Sequence, residues 1–356
     1  MTQRLPVTVL TGFLGSGKTT LLSQLLRRPE MKNTAVIINE FGEVGLDHEL
    51  IRTGDETVAL LESGCVCCTL RSDLADTLKE LFLKRVKGQI PEFDRVIVET
   101  TGLADPAPLL HTLIVEPLTA ARYRLEGVVT TIDAVNADAE MDLHREAVKQ
   151  AAVADRIVLT KTDIATSEMV ARVRARLKEI NPGAVPIEAS HGAVDPDQLF
   201  GMALDDRGER LEAWLAADAH ASRHDHHDHD HHGHDHDHDH DGHGHHPHDG
   251  IESFCLAYAE PLDWEALAEA LDRLVSISGE KILRVKGILD IAGNDKPVVV
   301  HGVQHLFHPP SQLDGWPAGA PRNSRLVFIT HGLKRDVIQR SLDIFLDRAA
   351  VKTHRS

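Results

Sequence analysis

The sequence predicts an α/β fold: a mainly parallel sheet wrapped by helices, followed by a small α+β domain at the C-terminal end. Three observations carry this. Short runs of aliphatic and β-branched residues recur at positions 7–10, 34–38, 95–99, 128–133, 156–159 and 185–188. They are apolar on both faces, as strands of a parallel sheet are. Amphipathic stretches such as 71–87, with Leu74, Leu78, Leu81 and Phe82 on one face, lie between them. After residue 250 the pattern changes to strands at 253–258, 281–291, 297–303 and 326–330, with helices at 263–276 and 334–347, Asp263 being the N-cap of the first. The expected division is 1–219, then a low-complexity insert at 220–250, then 251–356.

Composition narrows the class. The 356 residues carry 42% hydrophobic side chains, enough for one large or two ordinary domains. A net charge of −17 and 4% aromatics argue against nucleic acid and anionic membranes as partners. No apolar run approaches the roughly 20 residues of a membrane span. Three of the four cysteines sit between 65 and 68, which is not a secreted disulfide framework. A cytoplasmic protein is expected.

The first strand runs into Gly12, Phe13, Leu14, Gly15, Ser16, Gly17, Lys18 and Thr19, which fit the phosphate-binding loop G-x-x-x-x-G-K-[ST] between a strand and a helix. Backbone amides and the helix N-terminus offer positive partial charge to a phosphate. Lys18 is expected on the β- and γ-phosphates, Thr19 on Mg²⁺, and Thr20 close by. The strand at 34–38 leads into 39–47, where Glu40 and Asp47 stand in an acidic, glycine-containing loop. Glu40 is a candidate to orient water and Asp47 a further Mg²⁺ candidate. The strand at 95–99 ends in Glu99, a Mg²⁺ and catalytic candidate, followed by Gly102, whose amide could face the γ-phosphate. The strand at 156–159 ends in Thr160, Lys161, Thr162 and Asp163, close to the guanine-reading pattern Asn-Lys-x-Asp. A carboxylate at Asp163 suits guanine N1–H and its exocyclic amino group, whereas adenine offers an acceptor at N1 and no amino group there. Lys161 can lay its stem over the purine, and Ala189 and Ser190 can meet the base by backbone. Thr160 in place of Asn puts one brace between base and phosphate loop in question.

Cys65, Cys67 and Cys68 can converge on one Zn²⁺ ion if the chain turns there, and Gly64 permits a turn. Burial as small apolar residues or redox work are the alternatives. The insert from 224 to 248 holds seven of the chain's 55 acids and His224, His226, His227, His229, His231, His232, His234, His236, His238, His240, His243, His245, His246 and His248. Neutral imidazoles at this density make it an auxiliary metal collector, with a plain flexible linker as the alternative. His301 and His305 would pair on a helix. On the strand that 298–300 implies they lie ~13 Å apart, so they are expected to be structural or surface residues unless Gly302 turns the chain back.

With these motifs in this order, the chain resembles the CobW-type metal-handling P-loop GTPases, related to HypB and UreG, over nearly its whole length. The resemblance implies GTP hydrolysis with Mg²⁺, coupled to delivery of Zn²⁺ from the Cys-x-Cys-Cys site to a client metalloprotein. A homodimer is compatible with it. Cobalt handling for a corrin cofactor, with Co²⁺ as cargo, and a passive metal store are the rival readings.

Overall fold

The computed structural model describes residues 4–38, 74–201, 250–316 and 321–347 in full, and the backbone of 50–52, 58–61, 66–69 and 348–353. Its larger sheet has the order β3-β4-β5-β2-β6-β1-β7-β8-β9. These strands are β1 Leu5–Gly12, β2 Thr34–Ile38, β3 Leu50–Arg52, β4 Val58–Leu61, β5 Val66–Thr69, β6 Arg95–Glu99, β7 Tyr123–Asp133, β8 Arg156–Thr160 and β9 Pro186–Glu188. From β5 to β9 every pairing is parallel, and β3 and β4 add an antiparallel edge.

The two faces follow from strand alternation. On one face Val7, Val9, Ala35, Ile37, Val96 and Val98 pack on Leu78 and Leu81 of α2 (Leu74–Val86) and on Leu110 and Leu113 of α3 (Ala107–Val115). On the other, Leu10, Val36, Ile38, Ile97 and Val158 pack on Leu21, Leu22, Leu25 and Leu26 of α1 (Lys18–Leu26). Further along, α4 (Pro117–Arg122), α5 (Ala137–Leu143), α6 (Arg145–Val153) and α7 (Ser167–Ile180) complete the layers. Among the described residues no helix is long and apolar enough to cross a membrane.

The C-terminal unit is antiparallel, in the order β10-β15-β11-β12-β13, with β14 on β12. Its strands are β10 Ile251–Tyr258, β11 Ile282–Leu289, β12 Val298–Val303, β13 Leu306–Phe307, β14 Ser311–Gln312 and β15 Ser324–His331. Helices Trp264–Ser278 and Arg335–Thr353 cover it, the first capped by Asp263, which accepts from Ala266 N at 2.8 Å.

The unit is docked through side chains. Leu283 and Ile329 enter the cluster of Ala147, Ala151 and Leu177 on α6 and α7. A buried ionic cluster lies beside them: Asp155 accepts from Arg284 Nη2, from Lys286 Nζ at 2.7 Å and from Val128 N at 2.9 Å. Burial alone would raise the Asp155 carboxyl, but Arg284 and Lys286 hold it well below the usual carboxylate range. Burial and the Arg284 charge push Lys286 down to about 8.

Cys67 and Cys68 fall in the backbone of β5, paired with Val36 and Ile37 of β2, and not in a turn. The reason is the open edge of a parallel sheet, which recruits the run from Val66 to Thr69 as a further strand. The chain does fold back after His301, but at Gln304 (φ 52°) and not at Gly302. That return brings His308 beside His301, with His308 N donating to His301 O at 2.9 Å and the rings stacked 4.6 Å apart. Burial keeps both imidazoles below their ordinary pKa, His308 at about 4. His305 points away, its ring 6.1 Å from that of His111.

Candidate functional site

The C-terminal ends of β1, β6, β7 and β8 converge on one edge, where open α/β sheets bind ligands. β1 lies between β6 and β7, so the loop it feeds sits at the centre.

That loop has the geometry its glycines allow. Gly12 has φ 143°, and an added Cβ would strike Thr131 and Ser16. Lys18 is 9% exposed and its Nζ donates to Gly12 O at 2.9 Å and Phe13 O at 3.0 Å, so the ammonium lies folded into the loop. Ser16 Oγ and Thr131 Oγ1 are 2.7 Å apart. Phe13 stacks on His144 at 4.7 Å, while Leu14 is exposed. Gly15 (φ 71°) and Gly17 (φ 89°) complete the curve into α1.

Thr19 Oγ1 donates to Glu99 Oε1 at 2.7 Å. Two of the three Mg²⁺ candidates therefore meet although 80 residues separate them, and they present hard oxygen donors of the kind Mg²⁺ takes. Beyond Glu99, Thr100 N donates to Leu10 O at 2.9 Å, and Gly102 rests on the phosphate loop. A Cβ on Gly102 would come within 2.7 Å of Leu14 N, so only glycine fits.

On the other side, Thr160 Oγ1 donates to Ser16 O at 2.7 Å, with Ile132 O at 3.1 Å. The threonine thus ties β8 to the phosphate loop, and the brace that the missing Asn put in question is present in another form. Lys161, in a left-handed conformation (φ 57°), places Nζ 2.5 Å from Asp133 Oδ2. Asp133 also accepts from Val135 N, Asn136 N and Asn136 Nδ2. Burial would raise its carboxyl, and Lys161 with Asn136 more than offset that and hold it below the usual range. Asp163 accepts from His191 N at 3.4 Å, and Thr162 Oγ1 donates to Ala189 O at 3.3 Å. The loop of Ala189, Ser190 and His191 therefore borders Asp163, and Gly192 abuts Thr20 of α1.

Asp133 and Glu140 are neighbours that the sequence reading missed. Asp133 was legible as an acid ending a strand at this edge, like Glu99, whereas Glu140 on α5 carries no sequence signal. Burial and then the Asp133 charge raise the Glu140 carboxyl to about 7, against the pull of Lys161 and Lys18. The unfolded value is near 4.5, so ionising Glu140 in the folded chain costs stability. That loss grows as pH rises from about 4.5 and is complete above about 7. Glu140→Gln should therefore raise the thermal midpoint near pH 8 and leave it nearly unchanged near pH 5. Equal shifts at both pH values would show that the carboxyl is not perturbed.

Glu40, Asp47, Cys65 and the histidines from 224 to 248 lie outside the described residues, as do the side chains of Cys67 and Cys68. Among the described residues no group of three or more His, Cys, Asp or Glu is arranged to hold a metal ion.

Residues 6–188 match the family model "CobW/HypB/UreG, nucleotide-binding domain", and residues 251–346 match "Cobalamin synthesis protein cobW C-terminal domain". The chain belongs to the CobW family. It is 35% identical over 301 residues to the zinc chaperone YjiA of Escherichia coli, covering 85% of this chain and 86% of that protein. It is 34% identical over 371 residues to the zinc chaperone CobW of Pseudomonas aeruginosa, covering 95% and 91%. The crystal structure of Zn(II)-bound YjiA GTPase from E. coli superposes with a TM-score of 0.70 at 31% identity, over 96% of this chain and 99% of that one. The CobW fold is therefore common to both, a P-loop α/β unit followed by an antiparallel C-terminal unit.

Proposed function

We propose that this CobW-family chain is a GTP-hydrolysing metallochaperone that carries Zn²⁺ to a client metalloprotein in the cytoplasm. The observation that carries the reading is one sheet edge holding both halves of a nucleotide site. Lys18, Thr19 and Glu99 stand at its centre, and Asp163 with the 189–191 loop stands on its flank. Thr160 links the halves through Ser16 O. Asp163 favours guanine, since only guanine offers it two donors. The names of the zinc chaperone relatives support zinc as cargo.

In this reading residues 1–219 hydrolyse GTP, 220–250 collect metal and 251–356 form the third unit. Gly12 through Thr20 and Gly102 hold the phosphates, and Thr160, Lys161 and Asp163 hold the base. Thr19 and Glu99, with Asp47, would hold Mg²⁺, which would supply charge neutralisation at the β- and γ-phosphates. Glu40 is the candidate to orient water. Cys65, Cys67 and Cys68 bind the tight Zn²⁺ ion.

β5 supports coupling between the two sites. It carries Cys67 and Cys68 and pairs with β2, which in turn pairs with β6 up to Glu99. Nucleotide-dependent movement at Glu99 has a short path to the thiolates.

Linkage makes the test direct. If GTP tightens zinc, zinc must tighten GTP by the same factor. Zinc titrated with a GTP analogue should bind about 5–150-fold tighter than with GDP. Changing Cys65, Cys67 and Cys68 to Ser should remove the tight site and leave weak ones on the insert. Equal zinc affinity in every nucleotide state would overturn the coupling. Preference for Co²⁺ at buffered free-metal levels would favour the cobalt reading, and absence of GTP turnover the passive store.

A further inference from the structure

The turn between β12 and β13 reaches out of the C-terminal unit. Val303 and Leu306, on either side of its tip, belong to the hydrophobic cluster of Leu78, Leu81, Leu110 and Leu113 under the parallel sheet. Between them Gln304 is 7% exposed, and its Nε2 donates to Asp105 Oδ2 at 3.1 Å. Its φ of 52° is a conformation glycine would adopt without cost. The strained position thus holds a side chain with a partner in the other unit.

That partner closes the loop that follows Glu99. Asp105 Oδ1 accepts from Ala107 N, the first residue of α3, and Oδ2 lies 3.4 Å from Lys149 Nζ. Gln150 Nε2 donates to Gly102 O at 3.1 Å and Ala104 O at 3.0 Å. At the loop's start, Thr100 Oγ1 donates to Thr11 Oγ1 at 2.8 Å. Residues 100–105 are therefore held at one end by β1, in the middle by α6, and at the far end by the C-terminal unit. The loop presses Gly102 against Leu14, so a shift at Asp105 reaches the phosphate loop through two residues of backbone.

We infer that Gln304 is a positioning residue for GTP hydrolysis: through Asp105 it fixes the loop between Glu99 and α3, making the C-terminal unit part of the turnover machinery of the P-loop unit. The inference rests on the reading that this sheet edge turns over GTP. Misplacement by ~1 Å away from the reacting atoms can cost about a hundredfold in rate, which sets the scale. Anything that draws the β12–β13 turn outward, a bound client included, would then slow turnover.

The test is steady-state GTP hydrolysis by the full chain with Mg²⁺, comparing wild type, Gln304→Gly and Gln304→Lys, with thermal midpoints for each. Glycine relaxes the left-handed backbone while removing the whole side chain with its amide, two effects of opposite sign, so the midpoint should change little. Its kcat should fall by about ten- to a hundredfold with KM nearly unchanged. Lysine has the reach to return a donor to Asp105 and should restore most of kcat. In the nucleotide-free chain, amide hydrogen exchange across 100–105 should be faster in Gln304→Gly. Wild-type kcat in Gln304→Gly would overturn the inference. So would a loss that follows a lowered midpoint and is not rescued by lysine. No turnover by the wild-type chain would overturn the functional reading, and this inference with it.

Discussion

Lys18→Ala should abolish measurable GTP turnover while leaving the chain folded. The ammonium is buried inside the phosphate loop, 2.9 Å from Gly12 O and 3.0 Å from Phe13 O. Acids dominate the surrounding edge: Glu99 on one side, Asp133 and Glu140 on the other. Without Lys18, a triphosphate would meet that negative field with backbone dipoles alone. Removing one donor aimed at developing charge costs about 10²–10³-fold in comparable sites, and a formal charge should cost at least that. The loop's own loss is small by comparison, about 1 kcal/mol for each hydrogen bond given up. Phosphate release should therefore fall to background with only a modest drop in thermal midpoint. Turnover above half the wild-type rate would mean that hydrolysis happens elsewhere. If Asp163 reads the base as proposed, ATP should be a poor substitute for GTP in the wild type, because adenine presents an acceptor at N1 and no amino group at C2.

Much of this site was legible because its chemistry is local in sequence. Gly12 through Thr19 is a contiguous loop, and Thr160 through Asp163 another, so residue type and spacing carried them. Strands β2 and β6 were read to the residue because they are buried on both faces and bounded by polar residues. What escaped depended on contacts between distant segments. Gln150 looks like any polar residue on an amphipathic helix until its amide is seen on Gly102 O and Ala104 O. Gln304 shows no signal, since left-handed φ at a glutamine comes from the packing of Val303 and Leu306 on either side. Thr160 puts one brace in question because the pattern names Asn, yet its hydroxyl reaches Ser16 O. The β5 strand is not legible in the sequence, where Gly64 and the clustered cysteines leave a turn open. A sheet edge offering unpaired backbone groups outweighed that local preference.

Asp155→Ala should be the most destabilising single change at the junction of the two units. Asp155 stands just before β8, and its partners Arg284 and Lys286 are on β11, so the cluster bridges 129 and 131 residues of chain. The side chains of Asp155 and Arg284 are 8% and 5% exposed, so water screens the pair little. Alanine would leave a guanidinium and an ammonium side by side without an anion, and would strip the acceptor from Val128 N. Lys286, already pushed down to about 8, can shed its proton to limit the repulsion. Arg284 cannot. Breaking one partner from a buried pair costs about 3–5 kcal/mol, and that is the loss expected in urea unfolding near neutral pH. The pH sign follows from the depressed carboxyl. The Asp155 contribution is present above its unfolded value of 3.8 and is lost as pH falls through the folded one. The gap between wild type and Asp155→Ala should therefore close in acid. Pairing Asp155→Leu with Arg284→Met and Lys286→Met should recover much of the loss at neutral pH, since well-packed apolar replacements of whole buried ion clusters are often neutral. A single-variant loss below about 1 kcal/mol would mean that the junction is wet and the pair screened as at a surface.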